Sequence, residues 1–368
     1  MTPAPTTDHA TRRSSRGRRR DRWVYLRSHP VLFALLAATR GAPVRRLGRT
    51  LLVHDPDAFR EALTRVPLDR TAPGTTGGAA RRLAADGLLF GQTGDEHRST
   101  RRAVGEDLGE AGIARLRPVW SAVLRRRLAP LAAGDTVDIV DVTAELAGAT
   151  TAALLRIDVD PRELAAAARA AASAAVRDHL PGVPRPGQAR RAQAAAARLT
   201  RIVQSGGAAV LAVAAINTTV AAIPRAVAWC ADDGLWAWAD DQDERSTLVT
   251  ELLRVTAPSP LLPRVAAGPG VVGGRPVRAK DRLLLVTRHA VDAHRRDPNR
   301  AAPAAPRIAQ LVFGAGPHAC PGAKLARAQL ADVLAELAPY RPVVVAARAD
   351  RRAALPGWAR LDVRAGSR

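Results

Sequence analysis

The sequence predicts a mainly α-helical protein with small β-sheets, and three observations carry that expectation. Six long stretches place apolar residues at helical spacing, over 118–128, 139–155, 162–177, 188–203, 208–231 and 244–255. Strand-like runs are short, and they lie before residue 64 or after residue 270. The chain has 368 residues, 47% of them hydrophobic, which is enough to bury a large core without staples. Its two cysteines, Cys230 and Cys320, are too far apart in sequence to suggest a disulfide framework or a four-cysteine zinc cluster.

In chain order, residues 1–22 are expected to form a disordered basic arm, because they are rich in Ser, Thr, Pro and Arg and show no apolar periodicity. Residues 23–368 are then one domain. The segment 43–63, PVRRLGRTLLVHDPDAFREAL, predicts two short strands about a Gly-Arg turn, and Asp55-Pro56-Asp57 then opens a helix. Residues 157–200 repeat Ala and Arg almost as low complexity, a composition that favours paired surface helices. Further strands are expected at 271–277, 282–287, 342–347 and 358–363, each bounded by Gly, Pro or charged turns. No periodic repeat suggests a solenoid.

The chain carries 56 Lys plus Arg against 34 Asp plus Glu, a formal charge of +22. Only 3% of residues are aromatic and Lys280 and Lys324 are the only lysines, so the stacking platforms of a nucleic-acid binder are missing and no nucleic-acid partner is expected. An acidic protein partner makes better use of this charge. The longest unbroken apolar runs, such as 31–38, fall short of a bilayer span, and the basic N-terminus adjoins no apolar h-region, so a cytoplasmic protein without a membrane span is expected.

The most informative stretch is 313–327, FGAGPHACPGAKLAR. Gly314, Gly316 and Pro317 interrupt regular structure before Cys320, while an amphipathic helix begins just after Gly322. Cys320 is thus expected in a fixed loop at a helix N-terminus, with His318 and Lys324 nearby, where thiol pKa values fall. A thiolate so held is a metal ligand or a nucleophile; a buried structural cysteine is the ordinary alternative.

The pattern Phe-Gly-x-Gly-x-His-x-Cys-x-Gly, followed by Leu-Ala-Arg, resembles the haem-binding loop of the cytochrome P450 monooxygenases, with Phe313, Gly314, His318, Cys320 and Gly322 at the matching positions. Glu251-Leu-Leu-Arg254 resembles the family's Glu-x-x-Arg helix, whose spacing puts both charges on one face. A Glu and Arg so spaced are otherwise a solvated surface pair. By the same resemblance His97, Arg101, Arg264 and His318 clamp the haem propionates. His97-x-x-x-Arg101 also places two donors on one helical face. In the central helix Ala214-Ala215-Ile216-Asn217-Thr218 stands where family members carry Ala-Gly-x-acid-Thr. Thr218 is kept, but Asn217 cannot shuttle a proton as a carboxylate does. Pro224 should kink this helix, and Pro224-Arg225 reverses the Arg-Pro order of the family's peroxide-using members. Arg307 is the nearest candidate for the third member of the family's Glu-Arg-Arg triad, and Cys230 is expected to be a packing cysteine.

The resemblance implies the cytochrome P450 fold, with haem b (iron protoporphyrin IX) ligated by Cys320, and oxidation, most commonly hydroxylation, of a small hydrophobic substrate of specialised metabolism. Thr218 is implied as the hydrogen-bonding side chain of oxygen activation, with Asn217 or ordered water replacing the acid. Electrons are implied to come from an acidic ferredoxin or a flavoprotein. A haem-thiolate enzyme of altered outcome (coupling, desaturation or ring formation) and a non-catalytic haem-binding protein are the other readings. Substrate contacts are expected from 67–89, 213–222 and 259–263.

Overall fold

The computed structural model describes residues 15–81, 83, 88–177 and 186–366. Its helices are α1 (Arg16–Ser28), α2 (Pro30–Thr39), α3 (Pro56–Thr64), α4 (Thr76–Ala80), α5 (Leu88–Gly91), α6 (Gly94–Asp107), α7 (Glu110–Leu128), α8 (Ile139–Leu155), α9 (Pro161–Arg177), α10 (Gln188–Val203), α11 (Gly206–Asp233), α12 (Trp236–Asp240), α13 (Arg245–Thr256), α14 (Thr287–Ala290), α15 (Pro306–Ala309) and α16 (Ala323–Leu337). Its strands are β1 (Val44–Leu47), β2 (Thr50–Val53), β3 (Leu68–Asp69), β4 (Val137–Asp138), β5 (Leu262–Ala266), β6 (Gly270–Val272), β7 (Arg275–Val277), β8 (Arg282–Leu285), β9 (Val343–Ala349) and β10 (Trp358–Arg364). The larger sheet has the order β1-β2-β8-β5-β3, and the smaller ones are β4-β10-β9 and β6-β7. In the larger sheet only the β2–β8 pair is parallel.

Local chemistry explains the expected boundaries. Asp55 caps α3 by accepting from the Asp57 and Ala58 N–H groups, with Pro56 in the first turn. Asp138 caps α8 through Val140 N, and Ser205 caps α11 through Ala208 N. Gly234, at φ +67°, ends α11 in the left-handed conformation that glycine tolerates best. Pro224 lies within α11 without dividing it.

Three expectations change. The arm expected over 1–22 is helical from Arg16, because Asp21 is buried against α11 and α14, where its carboxylate meets Arg225 Nη2 at 2.5 Å and Arg288 Nη1 at 2.7 Å. A polar anchor of this kind leaves no apolar period to read. Residues 1–14 lie outside the described part. Helix α7 starts at Glu110, well before Pro118, because the buried row Ile113, Leu116, Trp120 and Val123 continues one face upstream. The pair α9–α10 is not wholly on the surface: Leu164, Ala165, Ala168 and Ala171 of α9 are buried in the main core.

That core gathers α7, α8, α9, α11, α13 and α16 around Trp120, Leu124 and Trp229. Each fully buried large apolar side chain contributes about 1.5–3 kcal/mol relative to exposure. By length and composition α11 could cross a bilayer, but from Val220 to Cys230 every residue is buried in this protein core. Residues 213–215 and 217–219, one turn earlier, are only half-buried, so the middle of α11 borders open space.

A second polar cluster lies where the end of α2 meets β2 and α14. His54 Nδ1 and His289 Nδ1 share a buried 2.8 Å hydrogen bond, Thr39 Oγ1 lies 3.2 Å from His54 Nε2, and the His294 ring is 4.9 Å from that of His289. Burial first, then the imidazoles of His294 and His54 at His289 and the guanidiniums of Arg40, Arg45, Arg288 and Arg295, lowers these imidazoles to about 4 for His54, about 2 for His289 and about 4 for His294, with Asp292 opposing at His294. They are neutral when folded but take up protons near pH 6.5 when unfolded. Stability is therefore full above that pH and falls as pH drops toward the folded values. Urea midpoints measured from pH 8 to pH 4.5 should fall below pH 6.5, and His289→Gln should flatten that limb; a midpoint level across the range would contradict the assignment.

Candidate functional site

The loop before α16 is built around two glycines. Gly314 sits at φ +77° and ψ −164°, a region that side chains disfavour, and Gly316 sits at φ +71° with its backbone against Thr64 of α3. Cys320 N donates to Phe313 O at 2.7 Å and Ala319 N to Gly316 O at 3.1 Å, which folds the loop back on itself. The Arg327 guanidinium lies 4.6 Å over the Phe313 ring, tying α16 to the loop start. A Cβ at Gly322 would stand 3.8 Å from Cys320 Sγ, an ordinary van der Waals contact, so the sulfur itself does not require glycine there. A cavity of about 260 Å³ opens beside the cysteine, lined by Arg101, Gly105, Leu108, Cys320, Ala323 and Lys324.

The thiol expectation is corrected. Cys320 is exposed as a residue, yet desolvation around its sulfur raises the thiol above its ordinary value and outweighs the Gly322 N–H, Arg101 and Arg327, which act the other way. Lys324 instead faces Glu110 at 3.2 Å. The helix terminus alone does not make a thiolate here; a cation bound at sulfur would. Cys230, buried beside Trp229, is raised further by desolvation, which suits a packing cysteine.

Four of the expected binding residues converge. The His97 and His318 ring centroids lie 3.8 Å apart with the rings tilted by 30°, Arg101 Nη1 donates to Ala319 O at 2.7 Å, and Arg264 on β5 donates from Nη1 to Thr76 Oγ1 at 3.2 Å. Helix α6 is thereby bolted to the residue preceding Cys320. His97 Nε2 and Arg264 Nε are buried without a hydrogen-bond partner. Burial, then Arg70, His97, Arg264 and Arg101, lowers His318 to about 3. Burial and Arg70 lower Arg264 to about 10. Among the described residues no carboxylate pairs with Arg70, Arg101 or Arg264. A cationic edge with orphaned donors beside a cysteine fits an iron porphyrin, whose two carboxylates supply the missing anions. Arg70 escaped the sequence reading because one arginine among so many carries no motif.

On α11 the two candidate catalytic side chains are turned to backbone. Thr218 Oγ1 donates to Ala214 O at 2.8 Å, and Asn217 Nδ2 donates to Val213 O at 2.8 Å and reaches Ala168 O of α9 at 3.4 Å. The Asn217 amide thus links α11 to α9 and makes no hydrogen bond to Thr218.

Glu251 and Arg254 are fully buried rather than solvated. Arg254 Nη2 meets Glu251 Oε2 at 2.7 Å and Nε meets Oε1 at 3.0 Å, while the guanidinium also donates to the carbonyls of Val291, Arg296 and Asp297. Arg307 is exposed and takes no part; Ala304 N donates to Glu251 Oε1 at 3.0 Å in the place a third side chain would fill.

No family model and no curated protein matches the chain. Solved structures do. P450BioI, in complex with an acyl carrier protein ligated to hexadec-9Z-enoic acid, superposes with a TM-score of 0.74 at 16% identity, covering 92% of this chain and 99% of that one. The chain has the cytochrome P450 fold. CYP109E1 from Bacillus megaterium, in complex with testosterone, gives 0.72 at 17% identity over 94% of this chain and 100% of that one. P450 OxyD, involved in the biosynthesis of vancomycin-type antibiotics, gives 0.68 at 19% identity over 94% and 98%. The cysteine loop, the buried Glu-x-x-Arg pair and the central helix all lie within this one fold.

Arg254→Ala leaves the Glu251 carboxylate buried and should cost about 3–5 kcal/mol, whereas Arg307→Ala should stay within about 0.5 kcal/mol of the parent. Urea unfolding of both variants checks this, and equal losses would restore Arg307 to the network.

Proposed function

We propose that the protein is a haem-thiolate monooxygenase of the P450 type, acting in specialised metabolism on a small hydrophobic substrate. The observation that carries this is the edge formed by the Arg101 and Arg264 guanidiniums and the His97 and His318 imidazoles, with orphaned nitrogens on His97 and Arg264, set beside the Cys320 loop in a P450 fold. Cys320 would be the ligand of the haem iron; Phe313, Gly314 and Gly322 shape its loop; and haem b is the group these residues suit. When bound, it supplies reductive activation of dioxygen. The chain supplies position and exclusion: the Arg101 and Arg264 guanidiniums, with the His97 and His318 imidazoles beside them, would fix the carboxylate edge, and the half-buried face of α11 around Val213–Thr218 forms a wall for substrate. The described parts of 67–89 and the half-buried Ser259, Leu261 and Pro263 complete that wall; residues 82 and 84–87 lie outside the described part. Thr218 would release its bond to Ala214 O to take part in oxygen activation.

The charge of +22 favours an acidic ferredoxin or flavoprotein as electron donor; the single domain expected over 23–368 takes in the rest of α1 from Arg16, anchored through buried Asp21, and its setting is read as cytoplasmic. The OxyD and testosterone-bound neighbours support a specialised-metabolite substrate without naming it. The reduced protein should give a strongly red-shifted Soret band with carbon monoxide, lost in Cys320→His. Absence of haem uptake by the parent would instead favour a non-catalytic auxiliary protein.

A second reading has a specific observation behind it. Asn217 engages the backbone of α11 and α9 and cannot deliver a proton, which favours coupling, desaturation or ring formation over hydroxylation. Product profiles of Asn217→Asp with the native substrate test this: a shift toward hydroxylation supports it, and an unchanged profile rejects it.

A further inference from the structure

Helix α2 exposes a face that carries no polar side chain. Its ten residues, PVLFALLAAT, include one polar side chain, Thr39, whose hydroxyl is turned inward to Leu35 O, Leu36 O and His54. Phe33 and Leu36 pack inward with Tyr25, Leu52 and Val286. Opposite them Val31, Ala34, Leu35 and Ala38 follow at i, i+3, i+4 and i+7, one helical face, and all four are exposed, Val31 by 83% and Leu35 by 49%. An apolar helix face of this kind is ordinarily covered. The charge around it has one sign. From Arg22 to His54 the chain holds six arginines and no Asp or Glu. Arg46 and Arg49 share Asp281, at 3.0 and 3.7 Å, whereas Arg22, Arg40 and Arg45 have no ion-pair partner among the described residues. Arg27, exposed in the last turn of α1, holds its guanidinium 4.7 Å over the ring of exposed Trp23. Arg40 ends α2, and β1 begins beside it, because His54, which meets Thr39, donates from its N to Pro43 O at 2.9 Å. Arginines thus stand just before and just after the apolar row.

We propose that α2 seats this protein on an anionic lipid bilayer, with Val31, Ala34, Leu35 and Ala38 at the acyl boundary and Arg27, Arg40 and Arg45 against lipid phosphates. A ten-residue helix is about 15 Å long, too short to span, and its inner face is held by protein, so α2 lies in the plane of the interface. Aliphatic stems let the arginines cover apolar surface while their charged ends stay among the headgroups, and tryptophan favours the same layer. Negative lipid supplies the sign that this rim, and the chain at +22, attracts. Two other occupants fit less well. A second copy would set arginine rim against arginine rim. Residues 1–14 offer Met1 as their one large apolar side chain and bring two further arginines, so they suit neither the face nor the rim. The proposal is independent of the haem reading.

The test floats the full-length protein with vesicles of phosphatidylcholine alone and of phosphatidylcholine mixed with phosphatidylglycerol, in low and high salt. The variants are Val31→Ser/Leu35→Ser, Arg40→Gln/Arg45→Gln and, as control at another exposed valine, Val343→Ser. The parent should bind the anionic vesicles, bind phosphatidylcholine at least about tenfold more weakly, and lose binding as salt rises. Val31→Ser/Leu35→Ser should weaken binding by about tenfold or more, Arg40→Gln/Arg45→Gln by a similar factor, and Val343→Ser should match the parent. A parent that does not float with anionic vesicles overturns the proposal. Parent-like binding by Val31→Ser/Leu35→Ser overturns it too, since charge elsewhere on the surface would then be the cause. So does a parent dimer in sedimentation equilibrium that Val31→Ser/Leu35→Ser returns to monomer, which would assign the face to a second copy. Should the serine variant not fold, Val31→Ala/Leu35→Ala decides by the same measure: weaker flotation than the parent supports the proposal, and equal flotation rejects it.

Discussion

The buried pair of Glu251 and Arg254 is the interaction on which the cysteine loop depends. Two charges removed from water are tolerable only when each finds nearly all its hydrogen bonds inside, and here they do. Glu251 accepts from Arg254 and from Ala304 N, while Arg254 donates to the carbonyls of Val291, Arg296 and Asp297. The meander leading to Phe313 has little regular structure, so this pair supplies the partners that a helix or sheet would otherwise give its backbone. From there the loop inherits its place: Phe313 under Arg327, Cys320 N on Phe313 O, and Ala319 O on Arg101.

The other end of the molecule is held by comparable chemistry. Asp21 meets Arg225 of the central helix and Arg288 of α14 in a fully buried site, and the Arg288 guanidinium lies 4.4 Å over the Tyr25 ring. One carboxylate between two guanidiniums leaves a positive charge in the core, and the aromatic face offsets part of it. Arginine suits both sites because its planar fork serves several acceptors at once and stays charged when desolvated.

The same abundance of arginine acts differently around the cysteine. There Arg101, Arg264 and the closely set, tilted rings of His97 and His318 converge without a carboxylate among the described residues, and burial together with neighbouring guanidiniums lowers both imidazoles. An excess of donors with no acceptor is costly in a finished fold and favourable in one that binds an anionic group. The half-buried middle of α11 faces open space in the same fold, which gives an apolar substrate somewhere to lie.

Sequence alone determined the helix-rich class, the long helices to within a few residues at most ends, the strands at both ends of the chain and the cysteine loop, since apolar period, capping residues and glycines act within one or two turns of where they stand. Tertiary structure decided what depends on partners distant in the chain. Helix α1 exists because Asp21 finds Arg225 and Arg288; the Cys320 thiol is raised because surrounding protein outweighs a helix terminus; and Ala304 N, rather than Arg307, completes the Glu251 network. Burial and charge act through space over a few ångströms, and those distances are set by packing between segments that the linear sequence keeps far apart.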